Sequence, residues 1–228
     1  MRFRYLLIFA VAFAIVCNSC REKGRKFINE GEIHYTIDYL GNVGTISKDI
    51  MPKSMVLSFK NDKILLEISS PIGNSGILNL ANPQEGIFDT YFSMFTLRYF
   101  YACKPGERQP GFEAMSGMEI RKTSKTSVIC GYNCKNAEVT FPFDRNKIYT
   151  IWYTNEINLK NPNATNPFYQ IDGVLMNFFF IFGRTELHFD AETVYKKEID
   201  DKTFERREKY VRISKEQIDN LINKMTSL

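Results

Sequence analysis

From residue 32 to residue 40 the chain alternates strictly: Ile33, Tyr35, Ile37 and Tyr39 fall on one face and Glu32, His34, Thr36 and Asp38 on the other. A period of two is that of a strand with one buried face, so a half-buried strand is predicted here. Ser54–Lys60 and Lys63–Ser69 form a second pair around Asn61 and Asp62, whose side chains tolerate the backbone of a tight hairpin. Gly76–Asn82 reads as a shorter strand, ended by the turn chemistry of residues 82–86. The aromatic run over residues 87–101 fits a buried strand and an apolar helix equally well. Residues 104–117 hold two prolines and three glycines among charged side chains, and with residues 158–170 they read as exposed loops.

Alternation returns over residues 127–141, 147–157, 173–182 and 185–198, each a long strand bounded by turn-forming residues. Leu187, Phe189, Ala191, Thr193 and Tyr195 share one face of the last of these, opposite His188, Asp190, Glu192 and Lys196, so the sheet has one wet face and is antiparallel. Crossover helices between the strands are missing, which argues against a parallel α/β fold. Near the end, Ser214 and Gln217 form a capping box, and Ile218, Leu221, Ile222 and Met225 follow at helical spacing. The fold expected is mainly β (α+β): a curved antiparallel sheet whose apolar face is covered by a C-terminal amphipathic helix.

The N-terminus carries a different pattern. Arg2 and Arg4 precede a twelve-residue apolar run over residues 5–16, too short for a transmembrane helix, which needs about 20 residues, and right for an export signal. The run leads into Cys17, Asn18, Ser19 and Cys20; a small residue directly before a cysteine resembles a bacterial lipobox, with Cys20 as the lipidated residue. Cys17 is the poorer acceptor, because bulky Val16 would precede it. Residues 1–19 are therefore read as a lipoprotein signal peptide, 20–30 as the lipidated cysteine and a polar linker, and 31–228 as a single domain. Several acyl chains on one cysteine, at about 0.8 kcal/mol per buried methylene, tether the mature chain to an outer membrane.

With 228 residues, 44% of them hydrophobic, the chain can bury a sizeable core, which excludes disorder. Thirty Lys and Arg against 26 Asp and Glu leave +4 with no basic cluster, so no nucleic-acid partner is expected. The two histidines, His34 and His188, fall on polar strand faces, and no catalytic spacing can be assembled from them; a non-enzyme is expected, without cofactor or metal. Asp200 and Asp201 read as turn formers, and the N-x-T sequence at Asn163 marks an exposed loop.

Three thiols remain after export, Cys103, Cys130 and Cys134, an odd number for an oxidising compartment. If residues 130–134 form one extended strand, the two sulfurs lie about 13 Å apart on one face, too far to bond, and Cys103 is the partner. If residues 131–133 form a hairpin loop, Cys130 and Cys134 face each other and can pair.

The segments around Gly131, Tyr132, Cys134 and Ala137, then Trp152 and Thr154, then Pro167 and Gly173, resemble the GLPGLI family of exported proteins, found mainly in Bacteroidetes. Asp172 and Gln170 stand where that family has its motif proline and first glycine. A looser likeness is to the lipoprotein-carrier (LolA/LolB-like) fold. The resemblance implies a half-barrel sheet closed on its concave side by helix, favours the single strand through Cys130 and Cys134, and so the pair Cys103 and Cys134; it supplies a compartment and no reaction.

One feature has a functional reading. The aromatic residues of 91–101 and 178–182 exceed what one sheet face requires, and a curved sheet with one covering helix would leave a cleft, lined by Phe178, Phe180, Phe182, Trp152 and Tyr99, for a lipid or other hydrophobic ligand. The sequence thus points to a membrane-tethered envelope lipoprotein that binds a hydrophobic ligand; the alternative is a non-enzymatic protein-interaction or assembly lipoprotein.

Overall fold

The computed structural model describes residues 27–40, 51–71 and 75–227. The export signal and Cys20 lie outside these residues. The described chain forms β1 (Glu30–Leu40), β2 (Ser54–Lys60), β3 (Lys63–Ser69), β4 (Gly76–Asn82), β5 (Ile87–Met94), β6 (Leu97–Ala102), β7 (Glu119–Ile129), β8 (Tyr132–Phe141), β9 (Asp144–Thr154), β10 (Val174–Phe182), β11 (Thr185–Tyr195), β12 (Val211–Arg212) and one helix, α1 (Lys215–Ser227). The strands make one open, curved sheet in the order β12-β6-β5-β4-β3-β2-β1-β11-β10-β9-β8-β7. Every pairing is antiparallel except β12 with β6. The expected mainly β architecture with a terminal helix is therefore present.

The hairpin at Asn61 and Asp62 forms as its side chains suggest, with both residues at positive φ (47° and 69°), the backbone of a two-residue type I′ turn. The ambiguous aromatic run is a hairpin, β5 and β6, turned at Phe95 (φ 56°). Residues 127–141 are not one strand. Cys130 and Gly131, at φ 51° and 80°, are the two residues of a tight turn, and Ile129 pairs with Tyr132 across it. The domain also begins earlier than expected: Ile28 is buried, bridges to Ile157, and its carbonyl accepts the Asn158 amide at 2.8 Å.

Cross-strand register places Ile33, Tyr35 and Ile37 of β1, Met55 and Phe59 of β2, Ile64, Leu66 and Ile68 of β3, Phe92 of β5, and Phe178, Phe189 and Leu187 of β10 and β11 on one apolar face. These side chains form the main core, and each contributes about 1.5–3 kcal/mol on burial. The opposite face of β3–β5 carries a smaller core of Leu65, Leu80, Ile87 and Tyr91, which Ile199 and Phe204 of the segment after β11 cover.

That segment works as a strap. Asp200 caps a 3₁₀ turn (Asp201–Phe204) by accepting the Lys202 amide at 3.0 Å, and Asp201 takes Lys60 at 3.2 Å and Lys63 at 2.5 Å. Further on, Arg206 reaches the fully buried Asp89, and Tyr210 packs edge-on against Tyr91. The chain then adds β12 to the edge of β6 and turns into α1, so the strap and the helix contact different cores. The capping box closes as written: the Ser214 amide donates to Gln217 Oε1 at 2.9 Å and the Gln217 amide to Ser214 Oγ at 3.2 Å. Ile218 and Ile222 of α1 are fully buried in the main core.

Candidate functional site

The two segments expected to be exposed loops are exposed only in part, and each turns several side chains inward. Phe112 and Met115 of the first, and Leu159, Phe168 and Ile171 in and beside the second, are buried in the main core. Phe112 lies 4.7 Å from the ring of Phe180 and 5.1 Å from Phe182, while Phe168 lies within 6.3 Å of Phe178, Phe179 and Phe180. The aromatic surplus of β10 is thus met by rings from these loops. Side-chain amides pair with part of the backbone in and beside the second loop. Asn163, only 4% exposed, donates both amide hydrogens, to Ile171 O and Gly173 O at 2.9 Å, and its Oδ1 accepts Asn166 at 3.0 Å. The N-x-T asparagine therefore does not mark an exposed loop: it is a structural side chain.

The loops are tied to each other and to the helix. The Gln109 amide donates to Thr165 O at 2.9 Å. On the helix side, the Gly111 amide donates to Asp219 at 2.7 Å, and Lys215 bridges Glu113 (2.8 Å) and Asp219 (2.6 Å). Burial pushes the Asp219 carboxyl up, against the hydrogen bond from Lys215; for Glu113 burial works the same way, yet the Lys215 bond leaves its carboxyl below the usual range. Gly111 has φ 95°, and a Cβ there would meet Ile222 Cγ2 at 3.1 Å and the Phe182 ring at 3.2 Å, so glycine is what lets helix, loop and strand meet.

Between the loops and the apolar sheet face is a cavity of about 40 Å³. Its apolar wall comes from Leu57, Ile64, Leu66, Phe112, Phe178 and Phe180, and Asn79, Gln109 and Thr165 are among its polar lining residues. Of the residues expected to form a cleft, Phe178 and Phe180 line this cavity. Phe182 sits beside them against Phe112 and Gly111; Tyr99 lies farther off in β6, opposite Phe92 and Val211; and Trp152 is in β9 opposite Asn136 and Asn177. Sequence reasoning missed Gln109, Asn163 and Phe168, because loop composition hides an inward-facing side chain.

No disulfide joins the described cysteines. The Cys103–Cys134 bridge is not formed, and neither is Cys130–Cys134: Cys130 occupies the β7–β8 turn, while Cys134 lies inside β8 opposite Ser127. Burial pushes the Cys103 thiol up to about 12, and Cys130, whose Sγ donates to Ala191 O at 3.1 Å, is also raised by burial. Neither is poised as a thiolate nucleophile.

Each histidine has a carboxylate two residues before it on the same strand face: His34 meets Glu32 at 3.0 Å and His188 meets Glu186 at 2.6 Å. The period of two contains this signal. Ser58 also approaches Glu32, at 3.4 Å, so the carboxylate stands between serine and imidazole, whereas a nucleophile needs the imidazole in the middle. Glu186 likewise accepts Lys147 at 2.9 Å and Tyr149 at 3.0 Å, which neutralises it as a base. Among the described residues no cluster of three or more His, Cys, Asp or Glu side chains has metal-binding geometry.

Compared with known proteins, the chain matches no protein-family model and no curated protein sequence. Among solved structures it is similar to one described as PNGF-II, at 17% identity and a TM-score of 0.52, over 86% of this chain and 33% of that one. At that identity the likeness is one of fold alone, and the chain spans about a third of the length of the structure it matches.

Proposed function

We propose that this chain is a lipoprotein of the bacterial outer membrane, exported by residues 1–19 and acylated at Cys20, whose domain binds a hydrophobic or lipid ligand without catalysing a reaction. The ligand sits on the concave, apolar face of the sheet, beneath α1 and the two inward loops. The GLPGLI-like segments are consistent with the compartment, and the family kinship is part of the proposal. The observation that supports the reading is a cavity with an apolar wall between the sheet face and the two loops, which are hydrogen-bonded to each other through Gln109 and Thr165, the first loop being tied in turn to α1 through Gly111 and Asp219. At about 40 Å³ the cavity has room for a group the size of a water molecule, so a chain-bearing ligand enters by displacing the loops.

An environment-sensitive apolar dye tests this with the mature protein in mild detergent. Saturable fluorescence enhancement that long-chain lipids reverse is the expected result; a linear, non-displaceable signal would contradict it. One observation favours the alternative, a protein-interaction lipoprotein: Phe168, Phe179, Phe180 and Phe189 are all at most 1% exposed, as in a finished core. The same failed titration would support that reading.

A further inference from the structure

The cavity holds groups that the protein itself leaves unpaired. Tyr35 donates its hydroxyl to Leu175 O at 2.9 Å, and Asn163 and Asn166 are occupied with each other and with backbone. Three polar groups remain. The side-chain amide of Gln109, in a residue only 4% exposed, has no protein partner among the described residues. Asn79 accepts Thr90 at 2.9 Å on Oδ1, which leaves its Nδ2 to donate, and Thr165 also lines the cavity. These unpaired groups still reach solvent-accessible space, so a guest that displaces that solvent must donate and accept hydrogen bonds in its place.

The wall also contains no carboxylate, ammonium, guanidinium or imidazole. An ionised head placed there would lose its hydration and meet no opposite charge. From this we infer that the ligand enters with an uncharged hydrogen-bonding head, a hydroxyl, ester or primary amide, and that Asn79, Gln109 and Thr165 select it over a carboxylate. The inference rests on the proposed ligand-binding reading of the same face. With the loops displaced to widen the space of about 40 Å³, the head meets these three side chains and the apolar chain lies against Phe112, Phe178 and Phe180.

Three probes of equal chain length separate the possibilities at pH 8: dodecanoate, 1-monododecanoylglycerol and dodecanamide, each titrated by dye displacement from the mature protein. The two neutral probes are expected to bind at least tenfold more tightly than dodecanoate. Gln109→Leu should bring the three within about threefold of one another while the dye still binds, and Thr165→Val, a smaller change, should narrow the gap in the same direction. Dodecanoate binding as tightly as the neutral probes, or a preference untouched by both variants, overturns the inference and leaves the ligand-binding reading standing. If no probe displaces the dye, both fall.

Discussion

Arg206 holds Asp89 with two hydrogen bonds, Nε at 2.7 Å and Nη2 at 3.2 Å, although 117 residues separate them. Asp89 is fully buried on the strap-covered face of β5 and also accepts the Tyr91 hydroxyl at 2.8 Å. The Arg207 amide donates in turn to that hydroxyl at 3.0 Å. The strap is therefore fastened at a point where a charge has already been taken out of water. Arg206→Ala leaves that charge without its partner and should cost about 2–4 kcal/mol, less than for a fully buried pair because the arginine is half exposed. Chemical denaturation checks this, and Asp89→Asn with Arg206→Ala together should cost less than the two single changes summed.

Acid should loosen the other end of the strap. Hydrogen bonds from Lys63 and Lys60 hold the Asp201 carboxyl below its ordinary 3.8, and the Ile199 amide, followed by Lys60, holds Glu30 below 4.5. A lowered folded-state pKa adds stability above the unfolded value, and that stability is lost as pH falls through the folded value. The melting temperature is expected to decline below about pH 4, and Asp201→Asn should flatten that decline while leaving the slope between pH 6 and 8 unchanged. A melting series across pH checks it.

The thiols give a chemical test of the β7–β8 turn. With Cys130 in the turn and Cys134 inside β8, no pair among the three cysteines is bridged. Alkylation in denaturant without reductant, followed by peptide mapping, should label Cys103, Cys130 and Cys134. In the native protein the buried Cys103, whose pKa burial raises to about 12, should react more slowly than the half-buried Cys130.

Cys20 is tested separately, because it lies outside the described residues. Labelled palmitate should mark the wild-type chain and fail to mark Cys20→Ser, which should then leave the membrane fraction.

Several features were legible in the sequence for clear physical reasons. β1 and β11 have one wet face, so their alternation survives in Ile33, Tyr35 and Ile37 against Glu32, His34 and Thr36. The capping box and the spacing of Ile218 and Ile222 located α1, because both are local. Residues 173–182 read as an alternating strand, yet seven of the nine residues of β10 are buried, since both faces are covered. The inward loops were illegible for a different reason. A segment that folds against a sheet without adding a strand must satisfy its backbone with side-chain amides, and residues such as Asn163 and Asn166 make it look solvent-loving. The sequence offers the β7–β8 turn as only one of two alternatives and places it at residues 131–133 instead of 130–131, because Cys130 is a rare occupant of a positive-φ position. The candidate site was half visible: Phe178 and Phe180 could be read from the strand, whereas Gln109 and Phe168 come from segments that composition assigns to solvent.

The most direct test of ligand binding is one comparison of masses. The mature protein, extracted in mild detergent, is weighed under native conditions and again after denaturation. A native mass higher by several hundred daltons, with the difference recovered as a neutral lipid in the organic extract, is the predicted result. Identical masses in both states, from protein that remains folded, would contradict it.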